Sequence, residues 1–130
     1  MSNQIKDKLY QEELMEHFKN PCNYGSLKNP DFVISQDVPS CGDVIAMEGK
    51  ISQDKLEEIS FSGNGCVLSM ATASMLTQRC KGCKIKEILA LCKEDVLKMV
   101  GLELGPNRLK CALLSLQVLK EGINSYIKKN

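Results

Sequence analysis

The chain has 130 residues, 43% of them hydrophobic, which suits one domain of ordinary size with a core of its own, spanning 1–130. Seventeen basic and sixteen acidic side chains leave a net charge of +1, so no strong field draws nucleic acid or an anionic membrane, and neither is expected as a partner. The opening "MSNQIKDKLYQEELMEHF" alternates charges instead of carrying the apolar run of a secretory signal, and no later stretch approaches the roughly 20 apolar residues that span a bilayer. A cytoplasmic location is expected. Seven cysteines then stand out: in a reducing compartment they stay thiols unless a metal or a reaction uses them, and an odd count disfavours a closed disulfide framework.

In chain order, Leu9, Leu14, Met15 and Phe18 recur at helical spacing, and "NPCNYG" ends that first helix. Three short segments follow, "DFVISQDV", "DVIAMEG" and "KLEEISFSG", separated by "PSCG" and "GKISQD". They read as an antiparallel meander whose second and third strands form a hairpin. From Cys66 the period changes: Val67, Met70, Ala71, Ser74, Met75 and Gln78 trace helical steps to about Arg79. After "CKGC" a shorter helix runs from Ile85 to Cys92, with Cys92 on its apolar face and read as core. "KEDVLKMVG" forms another turn or two, and "GPN" is a further break. The last segment carries a stripe of Leu109, Ala112, Leu113, Leu116, Leu119, Ile123, Tyr126 and Ile127, with a basic tail suited to a helix C-terminus. Strands first and helices afterwards give an α+β fold class: a three-stranded antiparallel sheet packed against several helices, the last one long.

Each of three changes of element carries a cysteine: Cys41 in "SCGD", Cys66 in "GNGC" and Cys111 in "NRLKC". Cys66 stands at a helix start, where exposed amide hydrogens and the dipole favour the thiolate, the form that binds metal and attacks electrophiles. Soft thiolates select iron–sulfur clusters, zinc or cuprous copper. Three thiols with Asp43 supply four donors, enough for a tetrahedral zinc ion or for a [2Fe-2S] cluster with two ligands on each iron. An all-cysteine set keeps a cluster, whereas an oxygen donor exchanges more readily, so Asp43 makes a site that lets go. Elsewhere Cys80 and Cys83 read as helix-end cysteines, since no second CxxC completes a zinc site. His17, the one histidine, is expected to cap or pack near the end of the first helix, and Met70 and Met75 to fill gaps in the core.

At these residues the chain resembles the iron–sulfur cluster assembly scaffold family, the IscU, SufU and NifU amino-terminal proteins. "HFKNPCNYGSL", "PSCGD", "GNGCVLSMATASML" and "RLKCALLSLQVL" are similar to the family's motifs and occur in family order. The resemblance implies the SufE/NifU-like fold and a scaffold without turnover of its own. On it a [2Fe-2S] cluster is built from iron and from persulfide sulfur delivered by a cysteine desulfurase, then passed to apo acceptor proteins. It implies Cys41, Asp43, Cys66 and Cys111 as ligands. The sulfur acceptor must be an exposed thiol, with Cys111 the first candidate and Cys41 the second. Lys110 stands where the IscU branch has histidine, and the long insertion of the SufU branch is missing. Cys22 replaces the usual arginine of the opening motif, and "LGPNRLK" stands where the IscU branch carries "LPPVK", which argues against an Hsp70-type chaperone as partner. A zinc-dependent sulfurtransferase of SufU type, with zinc in the same four-donor site, stays open as the alternative, as does a monomer or a weak homo-oligomer.

Overall fold

The computed structural model describes residues 2–39 and 42–130, with side chains from Ile5 onward. Helix α1 (Ser2–Lys19) leads into strands β1 (Phe32–Val38), β2 (Asp43–Ser52) and β3 (Lys55–Asn64), which form one antiparallel sheet in the order β1-β2-β3. Four helices follow: α2 (Val67–Cys80), α3 (Ile85–Leu89), α4 (Lys93–Val100) and α5 (Pro106–Lys129). The expected meander and long last helix are both present. No helix is long and apolar enough to cross a membrane.

Alternation along β1 and β2 decides which face is covered. Phe32, Ile45 and Met47 are buried while Val33 and Val44 face solvent, the pattern of a sheet packed on one side. The β2–β3 turn places Gln53 and Asp54 at φ of 53° and 61°, the left-handed pair that matches the twist of the flanking strands. Residues 23–25 close the outer edge of β3: the Phe61 N–H donates to the Asn23 carbonyl at 3.0 Å and the Gly25 N–H to the Phe61 carbonyl at 2.9 Å. Helix α5 crosses β1 and β2, α2 lies against α5 and β3, and α1 packs on α2. The crossing of α5 is close because Gly122 leaves room for the Phe32 ring, which a Cβ at 122 would meet at 2.5 Å.

Four local expectations change. Helix α1 begins at Ser2 rather than near residue 8, and of its described apolar side chains only Leu14 is buried, Leu9 being 61% exposed. Helix α2 is buried on several sides, at Ser69 and from Ala71 through Thr77 with Met70 half-buried, since α1, α5 and the sheet pack against it; its small side chains permit that, and Val67 and Gln78 are exposed. In α5 the buried face is wider than the stripe and takes in Leu114, Ser115 and Val118, while Ile127 is exposed. Cys92 is not core. Helix α3 stops at Leu89, and exposed Cys92 caps α4, its N–H donating to Asp95 Oδ2 at 2.8 Å.

Candidate metal centre

Asp43 is the first residue of β2 and pairs with Val38, the last of β1, so the sheet fixes its backbone. Its side chain is 2% exposed. Cys66 is the N-cap of α2, and its Sγ accepts a hydrogen bond from the Ser69 N–H at 3.4 Å. Cys111 lies in the second turn of α5. Three elements therefore converge, and one carboxylate oxygen of Asp43 and the sulfurs of Cys66 and Cys111 all lie within 4.8 Å of one another. In a tetrahedral site with bonds near 2.3 Å the donors are about 3.8 Å apart, so a modest contraction fits these three to one ion. This is the group of potential metal ligands found among the described residues. Cys41 lies outside the described residues, and so does its expected place as the fourth donor.

The hydrogen bonding around Asp43 is dense. The Cys66 N–H donates to Oδ1 at 2.9 Å; the Cys66 thiol donates to Oδ2 at 3.3 Å and the Ser69 hydroxyl to Oδ2 at 2.5 Å. The Cys111 side chain adds a further bond. Burial by itself raises the carboxyl, but the bonds from Ser69, Cys111 and Cys66 outweigh it and hold the group down at about 2, so Asp43 is an anion at neutral pH. Gly65 makes the approach possible: a Cβ there would sit 2.7 Å from Asp43 Oδ1.

The two described thiols differ in access. Cys66 is exposed, whereas Cys111 is buried at 6% exposure, so the expectation of an exposed Cys111 is corrected. Packing of α5 against α2 turns Cys111 inward, and both thiols border a mainly apolar groove of about 730 Å³ whose walls include Leu14, Met15, Leu104 and Arg108. Outside the centre, His17 Nδ1 lies 2.7 Å from Ser74 Oγ, packing α1 on α2 as expected. Met75 is buried. Cys80, the last residue of α2, is buried, and Cys83 follows it half-buried, the helix-end placement expected of both.

One residue of the centre escapes a sequence reading. Ser69 is buried at 1% exposure and touches Asp43, Cys66 and the carbonyl of Cys111, at 3.3 Å from its Oγ. Its signal is a polar side chain three residues after a helix-capping cysteine, which becomes meaningful only once Asp43 is known to lie opposite. Gly65, the glycine beside Cys66 in "GNGC", admits the carboxylate, the close approach that a glycine flanking a cysteine allows.

The comparisons with known proteins agree with this architecture. Relatives include the zinc-dependent sulfurtransferase SufU of Bacillus subtilis, 37% identical with 90% of each chain covered. The iron–sulfur cluster assembly scaffold protein IscU 1 of Archaeoglobus fulgidus is 32% identical over 94% of this chain and 79% of its own length. Among solved structures, a hypothetical protein superposes with a TM-score of 0.81 at 34% identity, covering 91% of this chain and 98% of the other. With the model of the NifU-like N terminal domain matching residues 9–130, the chain belongs to that family, which includes the IscU and SufU proteins.

Proposed function

We propose that this protein serves iron–sulfur cluster assembly as a scaffold. It accepts sulfur from a cysteine desulfurase, holds a transient [2Fe-2S] cluster and passes it to apo acceptor proteins, acting as a carrier without turnover of its own. The observation that carries the reading is the mixed donor set, two thiols and one ionised carboxylate within 4.8 Å, joined to an open groove. Thiolates suit iron–sulfur chemistry, and the single oxygen is the weaker, exchangeable member. Cys41 completes the set in this reading, two residues before Asp43 in sequence.

Sulfur enters by thiol exchange. An acceptor thiolate attacks the terminal sulfur of the desulfurase persulfide, the donor's S–S bond breaks, and the donor cysteine leaves as a thiolate. Cys111 is the first candidate acceptor and Cys41 the second. Because Cys111 is buried beside the groove, its donor has to enter that groove, which selects a flexible persulfide-bearing segment over a rigid surface. Iron and the finished cluster are cargo in this scheme.

A second reading, favoured by the likeness to a SufU protein, is a zinc-dependent sulfurtransferase that relays persulfide while zinc occupies the donors. The same three residues fit zinc, which is indifferent to geometry and accepts sulfur and oxygen together. Zinc in a purified sample decides nothing between the two. Anaerobic incubation with a cysteine desulfurase, ferrous iron and cysteine does. The scaffold reading expects the visible absorption and Mössbauer signature of a [2Fe-2S] centre, followed by transfer to an apo-ferredoxin. A colourless protein that multiplies desulfurase turnover with zinc still bound replaces it with the sulfurtransferase.

A further inference from the structure

Among the hydrogen bonds that hold Asp43, those from the thiols and those from the other donors differ in kind. A cysteine binds metal as a thiolate, so the Cys66 and Cys111 side chains surrender the protons they donate to Asp43 when an ion enters. Two donors found among the described residues keep their hydrogens: the Cys66 N–H on Oδ1 and the Ser69 hydroxyl on Oδ2. The backbone bond fixes one oxygen. The serine holds the other, the one that faces the Cys66 sulfur.

We propose that Ser69 is a positioning residue of the metal centre, which orients the Asp43 carboxylate so that its Oδ2 meets an incoming metal ion together with the two sulfurs. The inference rests on the reading of this site as a metal centre and adds a residue to it. Ser69 is well placed to do this. It is the third residue of α2, 1% exposed and beyond the reach of solvent, and its hydroxyl lies 2.5 Å from Asp43 Oδ2, 3.6 Å from Cys66 Sγ and 3.3 Å from the Cys111 carbonyl. One side chain thus touches β2, the cap of α2 and α5. Its backbone N–H also supports Cys66 Sγ at 3.4 Å, a bond that any residue at 69 keeps and that a side-chain substitution leaves alone. Burial of a serine hydroxyl is not by itself a mark of function in this interior, since the hydroxyls of Thr72 and Ser115 are buried without a protein partner. What sets Ser69 apart is that its hydrogen reaches the ligand carboxylate. Without it, the carboxylate loses a restraint on rotation about its last bond that the Oδ1 bond does not replace.

Groups that orient a metal's ligands from behind are worth roughly 10- to 100-fold in metal affinity. The test uses the full chain, stripped of metal and titrated anaerobically with Co²⁺, whose d–d bands report the geometry of the donors. Ser69→Ala, one oxygen smaller and the better helix former, is expected to bind Co²⁺ about tenfold or more weakly, with shifted d–d bands. In an Asp43→Ala background the same substitution is expected to change affinity less than about twofold, because the serine acts through the carboxylate. Ser69→Thr, which keeps the hydroxyl, restores the bands; if its extra methyl group unfolds the chain, the cycle of alanine variants decides. Wild-type affinity and bands in Ser69→Ala overturn the proposal, and so does an equal loss with and without Asp43, the mark of a merely structural residue. Failure of the scaffold reading looks different: the wild type then binds Co²⁺ with the Ser69 dependence intact but assembles no cluster. A wild type that binds no Co²⁺ overturns both.

Discussion

Gly65→Ala tests the centre at its tightest point. Gly65 does not occupy the left-handed region, so its backbone accepts alanine without strain. The whole effect is therefore the added methyl group, which lies 2.7 Å from Asp43 Oδ1, 2.9 Å from Cγ and 3.1 Å from Cβ. Asp43 is pinned by the sheet behind it and by its hydrogen bonds in front, so it has no free direction in which to yield. Forcing a methyl group into a packed site costs about 1–3 kcal/mol. The bonds that hold the carboxyl down at about 2, against 3.8 in the unfolded chain, stabilise the ionised native state by roughly 2.5 kcal/mol, and part of this is lost as well. A destabilisation of at least ~2 kcal/mol at neutral pH follows, a fall of about 10 °C in Tm for a chain of this length. The pH dependence identifies the cause. Because the folded value lies below the unfolded one, the contribution of Asp43 is present above about pH 4 and disappears as pH falls through 2. Wild type therefore loses it across that window, and Gly65→Ala, having already lost the bonds, shows a shallower acid limb. Thermal and urea unfolding between pH 2 and 7 measure both. A variant that melts within about 2 °C of wild type with the same acid limb refutes the account of Asp43.

Two further outcomes follow from the thiols. Burial, reinforced by neighbouring Cys83, pushes the Cys80 thiol from 9.0 up to about 12. At pH 8, iodoacetamide and mass spectrometry are expected to find exposed Cys66 and Cys92 alkylated and Cys80 untouched until denaturant is added. With the folded value above the unfolded one, the stabilisation from protonated Cys80 is complete below pH 9 and is lost as pH rises through 12, so the alkaline limb of stability is steeper than in Cys80→Ala. Chelation provides the other outcome: a sample purified with zinc and stripped of it keeps the circular dichroism of the folded state and melts cooperatively. Collapse to an unfolded chain on stripping contradicts a centre whose own thiols and hydroxyl hold the carboxylate.

Much of the fold was legible because its signals are local. Alternation in Phe32–Val38 and Asp43–Gly49 needs only the strand period, and the apolar stripe of α5 needs only the helical one. Helix α2 defeats that method: a helix surrounded by α1, α5 and the sheet has no single apolar face to display, and Ser69, Thr72, Ser74 and Thr77 are polar by composition yet buried. Cys92 misleads for a related reason, since its place depends on whether α3 runs one more turn, and the chain breaks instead. At the centre, positions at element boundaries pointed to Cys66 and Cys111, and adjacency to a cysteine pointed to Asp43. Neither signal carries distance. The burial of Cys111 and the partnership of Ser69 with Asp43 arise from α2, α5 and β2 meeting, a property of the packed molecule and not of any segment.

The same packing shows how the Asp43 carboxylate is accommodated with no ion bound. A carboxylate buried to 2% exposure is costly when alone, and an ion that left it bare would destabilise the whole chain. Here the thiols take the place of the ion. When they are protonated, Cys66 and Cys111 donate to the carboxylate, and when they are deprotonated a cation can sit where those hydrogens were. Asp43 therefore has partners in both states, while Ser69 and the Cys66 N–H hold it still during the exchange. A structural zinc domain is built the other way, with the ion supplying the folding energy and the apo chain unfolded. The core of this protein lies between the sheet and the α2–α5 pair and includes Phe61, Ile45, Met47, Leu119 and Ile123. Under the scaffold reading, a core that carries most of the stability away from the donors lets cargo be loaded and released from a chain that stays folded.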